Sequence, residues 1–236
     1  MHSTLVRAQN VFGLFTTVAF CVATAIALSV LISPQEPSAS IKLRNVQVVR
    51  GRPHYYSQKK EEYAHIKFDL DADLSSLFNW NTKQVFLYIT ATYPSLKASE
   101  PPSQVIIWDA ILPSSSAPWH ENHYIHPNPK NSKTRSKTTS LSPYPAGEIH
   151  LSNQRPKYQI TDMSGKLQNR TDVVLELGWN VQPWVGALTW INWQDVGAWK
   201  GLKGGKSDIF TFPETKRKDV DLGTAKGGEG NRGKPA

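Results

Sequence analysis

Hydrophobic positions follow two regimes along this chain. Val11 to Ile32 (VFGLFTTVAFCVATAIALSVLI) carries no charged side chain over twenty-two residues. At a helical rise of about 1.5 Å per residue it extends roughly 33 Å, enough to cross a hydrocarbon core of about 30 Å. A helix satisfies its own backbone hydrogen bonds in lipid, so such a segment spans stably. Downstream, apolar residues recur at period two, the spacing of strands with one buried face.

The longest alternation runs from Ala64 to Leu74. Ala64, Ile66, Phe68, Leu70, Ala72 and Leu74 share one phase, while His65, Lys67, Asp69, Asp71 and Asp73 fill the other. This predicts a strand with a core face and a solvated face, the three aspartates lying on the wet side. No second set of oxygen ligands lies nearby to make them a metal site. Upstream, Ile41 to Arg50 (IKLRNVQVVR) changes phase midway, Ile41 and Leu43 against Val46 and Val48, as a bulged strand does. Ser33 to Ser40 before it, with Pro34 and Pro37, reads as a short spacer.

Further along, LSSLFNWNTKQ reads as a helical turn or tight connection. VFLYITATY (Val85–Tyr93) is apolar on both faces and suits a central strand covered on both sides. QVIIWDAIL (Gln104–Leu112) is another strand, with Asp109 as an edge or turn carboxylate. KYQITDM (Lys157–Met163) is a short strand closed by Ser164-Gly165. DVVLELGWNV (Asp172–Val181) places Val173, Leu175, Leu177, Trp179 and Val181 on one face, and Pro183 ends it. DIFTFP is a plausible last strand. Seven or so strands without a soluble helix pair predict an all-β fold, an antiparallel β-sandwich behind one N-terminal transmembrane helix.

These patterns divide the chain into a stub (1–10), a transmembrane signal anchor (11–32), a sandwich domain (33–214) and a basic tail (215–236). Within the domain, residues 113–145 are rich in Ser, Thr, Pro, Asn and Lys, too poor in apolar groups to offset chain entropy, and are expected as a disordered insertion. The Lys/Gly-rich tail is expected to be disordered for the same reason. Arg7 and the terminal amine precede the apolar run as in signal sequences. The run is longer than a cleavable signal's apolar region, which favours an uncleaved anchor, although Ser38-Ala39-Ser40 imitates a cleavage site. The positive-inside rule puts Arg7 in the cytosol, but Lys42, Arg44 and Arg50 blur the bias. Asn169-Arg170-Thr171 is an N-glycosylation sequon and favours a lumenal domain.

Charge and chemistry narrow the function. The net charge of +8 lies in loops and tail rather than along an aromatic-interleaved face, so no nucleic-acid partner is expected. Positive charge beside anionic headgroups instead suits a bilayer. The single cysteine, Cys21, lies in the apolar run, which leaves the rest of the chain without a disulfide. His120, His123 and His126 are spaced by three, but Pro127 and Pro129 disfavour the helix that would let them share a metal. No metal and no cofactor are expected. No G-x-S-x-G, H-E-x-x-H or phosphate-binding loop occurs, and a dispersed triad is recognised only by geometry. The tryptophans Trp179, Trp184, Trp190, Trp193 and Trp199 are either core or an exposed surface for a membrane, a partner or a carbohydrate.

The order of features also resembles a known family. One N-terminal anchor is followed by FDLDADLSSLFNWNTKQVFLYITATY, then QVIIWD, NRTDVVLELGWNVQPWVGAL and FTFPET. This is similar to the subunit 3 family of the endoplasmic reticulum signal peptidase complex, over Met1 to Asp109 and Gln168 to Glu214. The core D-L-x-x-L-F-x-W-N-x-K-Q-x-F-x-Y within Phe68–Tyr93 is its most specific part. The resemblance implies a single-pass type II protein of the endoplasmic reticulum membrane with a lumenal β-sandwich and no catalytic residue. It further implies an accessory role beside the catalytic signal peptidase subunit, a membrane serine endopeptidase, and other small membrane subunits, with Asn169 as the glycosylated position. The 113–145 insertion, the basic tail and the tryptophan-rich segment depart from the family pattern. The competing expectation is an anchored or secreted carbohydrate-binding β-sandwich that uses the tryptophan cluster.

Overall fold

A computed structural model describes residues 3–53, 55–97, 99–114 and 147–215. The apolar run forms helix α1, Thr4–Ser29, whose last turn tightens into a 3₁₀ turn at Val30–Ile32. It begins inside the expected stub and continues through the uncharged run. It is long and apolar enough to cross a membrane, and none of its most apolar window is buried against the rest of the protein. Its hydroxyls bond back along the helix: Thr16 and Thr17 donate to the Gly13 carbonyl, Thr24 to Phe20 and Ser29 to Ile26. Each polar side chain in these turns is therefore satisfied without water.

The strands are β1 (Ser38–Gly51), β2 (Glu61–Asp73), β3 (Thr82–Tyr93), β4 (Ser103–Pro113), β5 (Glu148–Gln154), β6 (Val174–Pro183) and two short ones, β7 (Thr189–Trp190) and β8 (Lys203–Gly204). They form two four-stranded sheets, ordered β5-β2-β1-β8 and β4-β3-β6-β7. Every pairing is antiparallel except that of β1 with β8. The all-β sandwich expected from period-two patterning is the architecture observed.

The core is built from the phases that the alternation marks. Ala64, Ile66, Phe68, Leu70 and Ala72 of β2 and Leu74 just after it are all buried, as are Val173, Leu175, Leu177, Trp179 and Val181 around β6. Phe68 of one sheet meets Trp108 of the other edge-to-face, with ring centroids 6.1 Å apart. Burying such rings removes on the order of 200 Å² each from water, roughly 5 kcal/mol apiece before ordering costs. The connection between β2 and β3 contains the expected helical turn, a 3₁₀ turn at Ser75–Leu77.

The bulge in β1 lies between Leu43 and Asn45. Arg44 is the extra residue, and its guanidinium donates to the Asp69 carboxylate on β2. The slip also moves Ile41 and Val48, an odd number of residues apart, onto the same core. Asp69 is consequently 8% exposed and accepts a second bond from the Asn153 backbone N–H at 2.7 Å, whereas Asp71 and Asp73 face water. The solvated-face expectation thus fails at Asp69, because the bulged Arg44 and the Asn153 backbone cover its carboxylate from the outer face, partners that alternation alone does not reveal.

Three other expectations change. Val85–Tyr93 is central in its sheet, but only one face is fully buried and the other is half covered. Lys157–Met163 forms no strand and meets β2 through one bridge, Ile160 to Ala64. DIFTFP likewise forms a single bridge, Phe210 to Val173. The chain it faces turns left-handed at Asn169 (φ 59°) and Asp172 (φ 56°), so an extended ladder cannot continue there. Phe212 is nevertheless fully buried against Tyr93, its N–H donates to the Arg170 carbonyl and its carbonyl accepts from the Asn169 N–H, so packing and backbone bonds outside a regular ladder hold the segment.

Candidate membrane-proximal interface

The polar spacer after α1 is pinned to the sandwich. The Gln35 N–H donates to the Ala198 carbonyl at 3.1 Å, and the Gln35 carbonyl accepts from the Lys200 N–H at 2.8 Å. The Glu36 N–H donates to the Ser76 hydroxyl, and the Lys203 N–H to the Pro37 carbonyl. Gln35 is only 7% exposed. The sequence reads Ser33–Ser40 as a spacer because its prolines and small polar residues lack periodicity; long-range backbone partners turn it into a joint.

This joint gathers one end of the sandwich around the helix end: the β2–β3 connection, the β6–β7 loop and the 196–200 turn. Asn81, 2% exposed, organises the first two. Its side-chain amide donates to the Val185 carbonyl at 2.6 Å, and its side-chain oxygen accepts the Val185 N–H at 3.1 Å. Its backbone carbonyl accepts the Trp184 N–H at 2.8 Å. Beyond Val185, Gly186 turns at φ 124°, and a methyl group there would lie 3.2 Å from the Ala27 side chain of α1. The loop therefore lies directly against the last turns of the helix. An apolar cavity of about 210 Å³ remains between them, lined by Ala27, Leu28, Leu31, Val185, Ala187 and Trp199, among others.

Large apolar side chains stand exposed around this joint. Trp80 is 62% exposed and Trp184 44%. Leu188, Trp190 and Val196 are exposed as well, and Trp199 is half-buried beside the cavity. The tryptophans of the 179–199 stretch therefore separate. Trp179 is core, Trp193 stacks under the Lys206 ammonium at 4.3 Å, Trp190 is exposed on β7 opposite Asn180, and Trp184 and Trp199 lie at the helix end. Trp80 belongs with these two although it is remote from that stretch in sequence; its sequence signals are its place in the D-L-x-x-L-F-x-W-N motif and the turn residues Asn79 and Asn81 on either side.

The opposite pole carries Asn169. It is exposed, left-handed, and its amide donates to Glu214 at 3.4 Å. Pro183, at the far end of β6, sits at the joint, so the ten residues of β6 put Asn169 roughly 30 Å away at about 3.3 Å per residue. Arg170, the middle residue of the sequon, is buried and anchors the loop. Its guanidinium donates to Asp162 at 2.7 Å and to the Lys166 and Pro94 carbonyls, and lies over the Tyr93 ring. Burial would raise the Asp162 pKa, but Ser164 and Arg170 outweigh it and hold the carboxyl below its ordinary value of 3.8. Burial pushes the Tyr93 phenol up to about 12, helped by the charge of Asp162. Asn169 and Thr171 are thus presented to solvent by a rigid turn.

Among the described residues no group of three or more His, Cys, Asp or Glu side chains is placed to hold a metal ion. His120, His123 and His126 lie outside the described residues, as do nearly all of the 113–145 insertion and the tail after Thr215. Asp109 pairs with Lys157 at 3.3 Å. His150 pairs with Asp71 at 3.2 Å on an open groove of β2 and β5.

Fold and surface together define a β-sandwich carried on one membrane-length helix, with an exposed aromatic rim where the two join. A model of the signal peptidase subunit family matches residues 1–132 and 141–199, spanning the helix, strands β1 to β7 and the rim. The chain belongs to the signal peptidase subunit family. It is 37% identical over 157 residues to signal peptidase complex subunit 3 of Saccharomyces cerevisiae, covering 65% of this chain and 68% of that one. It is 32% identical over 197 residues to the Yarrowia lipolytica protein of the same name, covering 79% and 90%. The Gallus gallus protein of that name is 28% identical over 183 residues, covering 78% of each.

Proposed function

We propose that this chain is a non-catalytic subunit of the signal peptidase complex, supporting the catalytic subunit in removing signal peptides from secretory precursors at the endoplasmic reticulum. The observation that carries this reading is the extent of the family match, which includes the helix, most of the sandwich core and the Asn81 and Gln35 side of the joint between them. A rigid joint suits a supporting role. A sandwich bonded to its own anchor through Gln35, Pro37 and Asn81 holds a fixed height and orientation, so a partner resting on it is positioned relative to the bilayer.

In this reading the stub lies in the cytosol, α1 is an uncleaved anchor and the sandwich is lumenal. Two observations support that topology. Ser38–Ser40, the segment that imitates a cleavage site, is strand β1 paired with Asp71–Asp73, where a protease could not bind it extended without unzipping the sheet. Asn169, the glycosylation position in this reading, is exposed at the pole far from the helix.

Depletion of the protein from cells tests the role. Secretory precursors should retain their signal peptides, and a catalytic peptidase subunit should co-purify with the chain from detergent-solubilised microsomes. Normal precursor processing after depletion would overturn it.

A further inference from the structure

We infer that the rim formed by Trp80, Trp184, Leu188, Val196 and Trp199 is seated in the bilayer surface, so that the sandwich rests on the leaflet its anchor leaves. The depth of the loop against the helix leads to this. Gly186 approaches Ala27, which precedes Ile32, the last residue of the uncharged run, by five positions. At about 1.5 Å per residue the loop therefore reaches roughly 7–8 Å below the end of the apolar run. That depth matches the boundary between headgroups and acyl chains, where interfacial segments bury their apolar faces by about 5–10 Å.

A loop at that depth must present apolar side chains outward, and this one does. Leu188 and Val196 are 55% and 61% exposed, an unfavourable arrangement in water and a favourable one in a headgroup layer. Tryptophan is the side chain that interfaces favour, and the exposed Trp80 and Trp184 supply an apolar body with an N–H at its edge, while Trp199, whose indole N–H is buried, adds only its half-covered ring. Cations stand just behind them. The Lys83 ammonium lies 5.3 Å from the Trp184 ring centroid, and Lys200 and Lys203 are exposed beside the spacer. Asp195 is the nearest acid on the turn and is paired with Lys200 at 3.5 Å. Aromatic rings at the border with lysines behind them suit phospholipid headgroups, whose phosphates lie outside the acyl boundary.

The same depth decides between occupants. A soluble partner docked on the rim would have to enter the leaflet beside α1, whereas lipid already surrounds a spanning helix there; a membrane-embedded partner is the alternative that the assembled complex tests. The inference requires only that α1 span a bilayer. It does not depend on the peptidase role, so either can fail while the other stands.

Nitroxide labels test it in the full-length chain, with Cys21→Ala removing the native thiol, reconstituted in phosphatidylcholine vesicles. Labels are placed singly at Leu188→Cys, Val196→Cys and, as the reference at the opposite pole, Met163→Cys; all three native side chains are exposed, so folding is spared. The ratio of collisions with oxygen to collisions with a water-soluble nickel chelate should be several-fold higher at the two rim positions than at Met163. Equal ratios at all three positions would overturn the inference. The same labels in the assembled signal peptidase complex complete the test: a retained lipid signature supports it, and loss of that signature on assembly would assign the rim to a protein partner instead.

Discussion

The side chain of Asn81 clamps the backbone of Val185, donating to its carbonyl and accepting from its N–H. These residues lie 104 positions apart, on the two connections that meet the helix end. A residue in the most specific motif of the sequence therefore has a defined physical task, which is to hold the β6–β7 loop against α1. Asparagine suits it because one amide supplies both a donor and an acceptor in a single plane.

Replacing Asn81 with Leu leaves two backbone groups of Val185 without partners at a buried joint. The expected loss is about 2–4 kcal/mol, from two hydrogen bonds plus the cost of unsatisfied polar groups. Asn81→Asp keeps the acceptor for the Val185 N–H but faces the carbonyl with a charge, so it should be no better. Thermal unfolding of the detergent-solubilised chain measures both variants, and an unchanged midpoint in Asn81→Leu would show that the clamp contributes nothing.

Arg170 and Asp162 form a pair whose side chains are only 6% and 12% exposed. Removing one partner of a buried pair strands the other charge, so Arg170→Met should cost about 3–5 kcal/mol. Equilibrium unfolding in denaturant checks this, and a loss below 1 kcal/mol contradicts it.

The same pole makes stability depend on acid. Asp162 titrates below its ordinary value for the reasons given above. Glu62 is also lowered: burial acts to raise it, but the backbone N–H groups of Gln168 and Leu167 and the Arg50 guanidinium prevail. A carboxylate with a depressed folded pKa binds its proton more readily when unfolded. Its contribution is therefore complete above the unfolded value, about 4 for a carboxylate, and is lost as pH falls through the lower folded value. Unfolding midpoints should be flat from about pH 7 to 5 and then fall. In Arg170→Met the acid-dependent part of that fall should shrink.

Gly204 tests the docking of β8 on β1. Its φ is 78°, and a methyl group there would lie 2.2 Å from the Ala39 carbonyl oxygen. Gly204→Ala should cost at least about 1 kcal/mol from backbone strain alone and more from the clash. Hydrogen exchange should show faster opening at the N-terminal end of β1, where Ser38 and Ala39 pair with β8. Unchanged protection there would mean that β8 contributes no stability to that edge.

Glycosylation is best tested at Thr171, not Asn169, because Asn169 holds a left-handed turn that other side chains adopt less readily. Thr171→Ala leaves the turn in place and removes the sequon hydroxyl. The protein from microsomes should then migrate faster and no longer respond to an amidase that removes N-linked glycans. A wild-type protein insensitive to that enzyme would exclude a glycan at Asn169.

The sequence alone determined what depends on local order. An uncharged run of membrane length must form a helix, because lipid offers its backbone no other partners. Alternation at period two set which faces of β2 and β6 enter the core, and the phase change in Ile41–Arg50 announced the bulge. Only the tertiary structure decided what depends on residues distant in the chain. It put Asp69 against Arg44, tied the supposed spacer to the 198–203 segment, left DIFTFP anchored by Phe212 without a ladder, and joined Trp80 to Trp184 on one rim. Patterning records whether a side chain meets water or core, but not which other segment it meets; that choice is made by sheet order and loop closure, and they placed the exposed Trp80 and Trp184 at the end of α1.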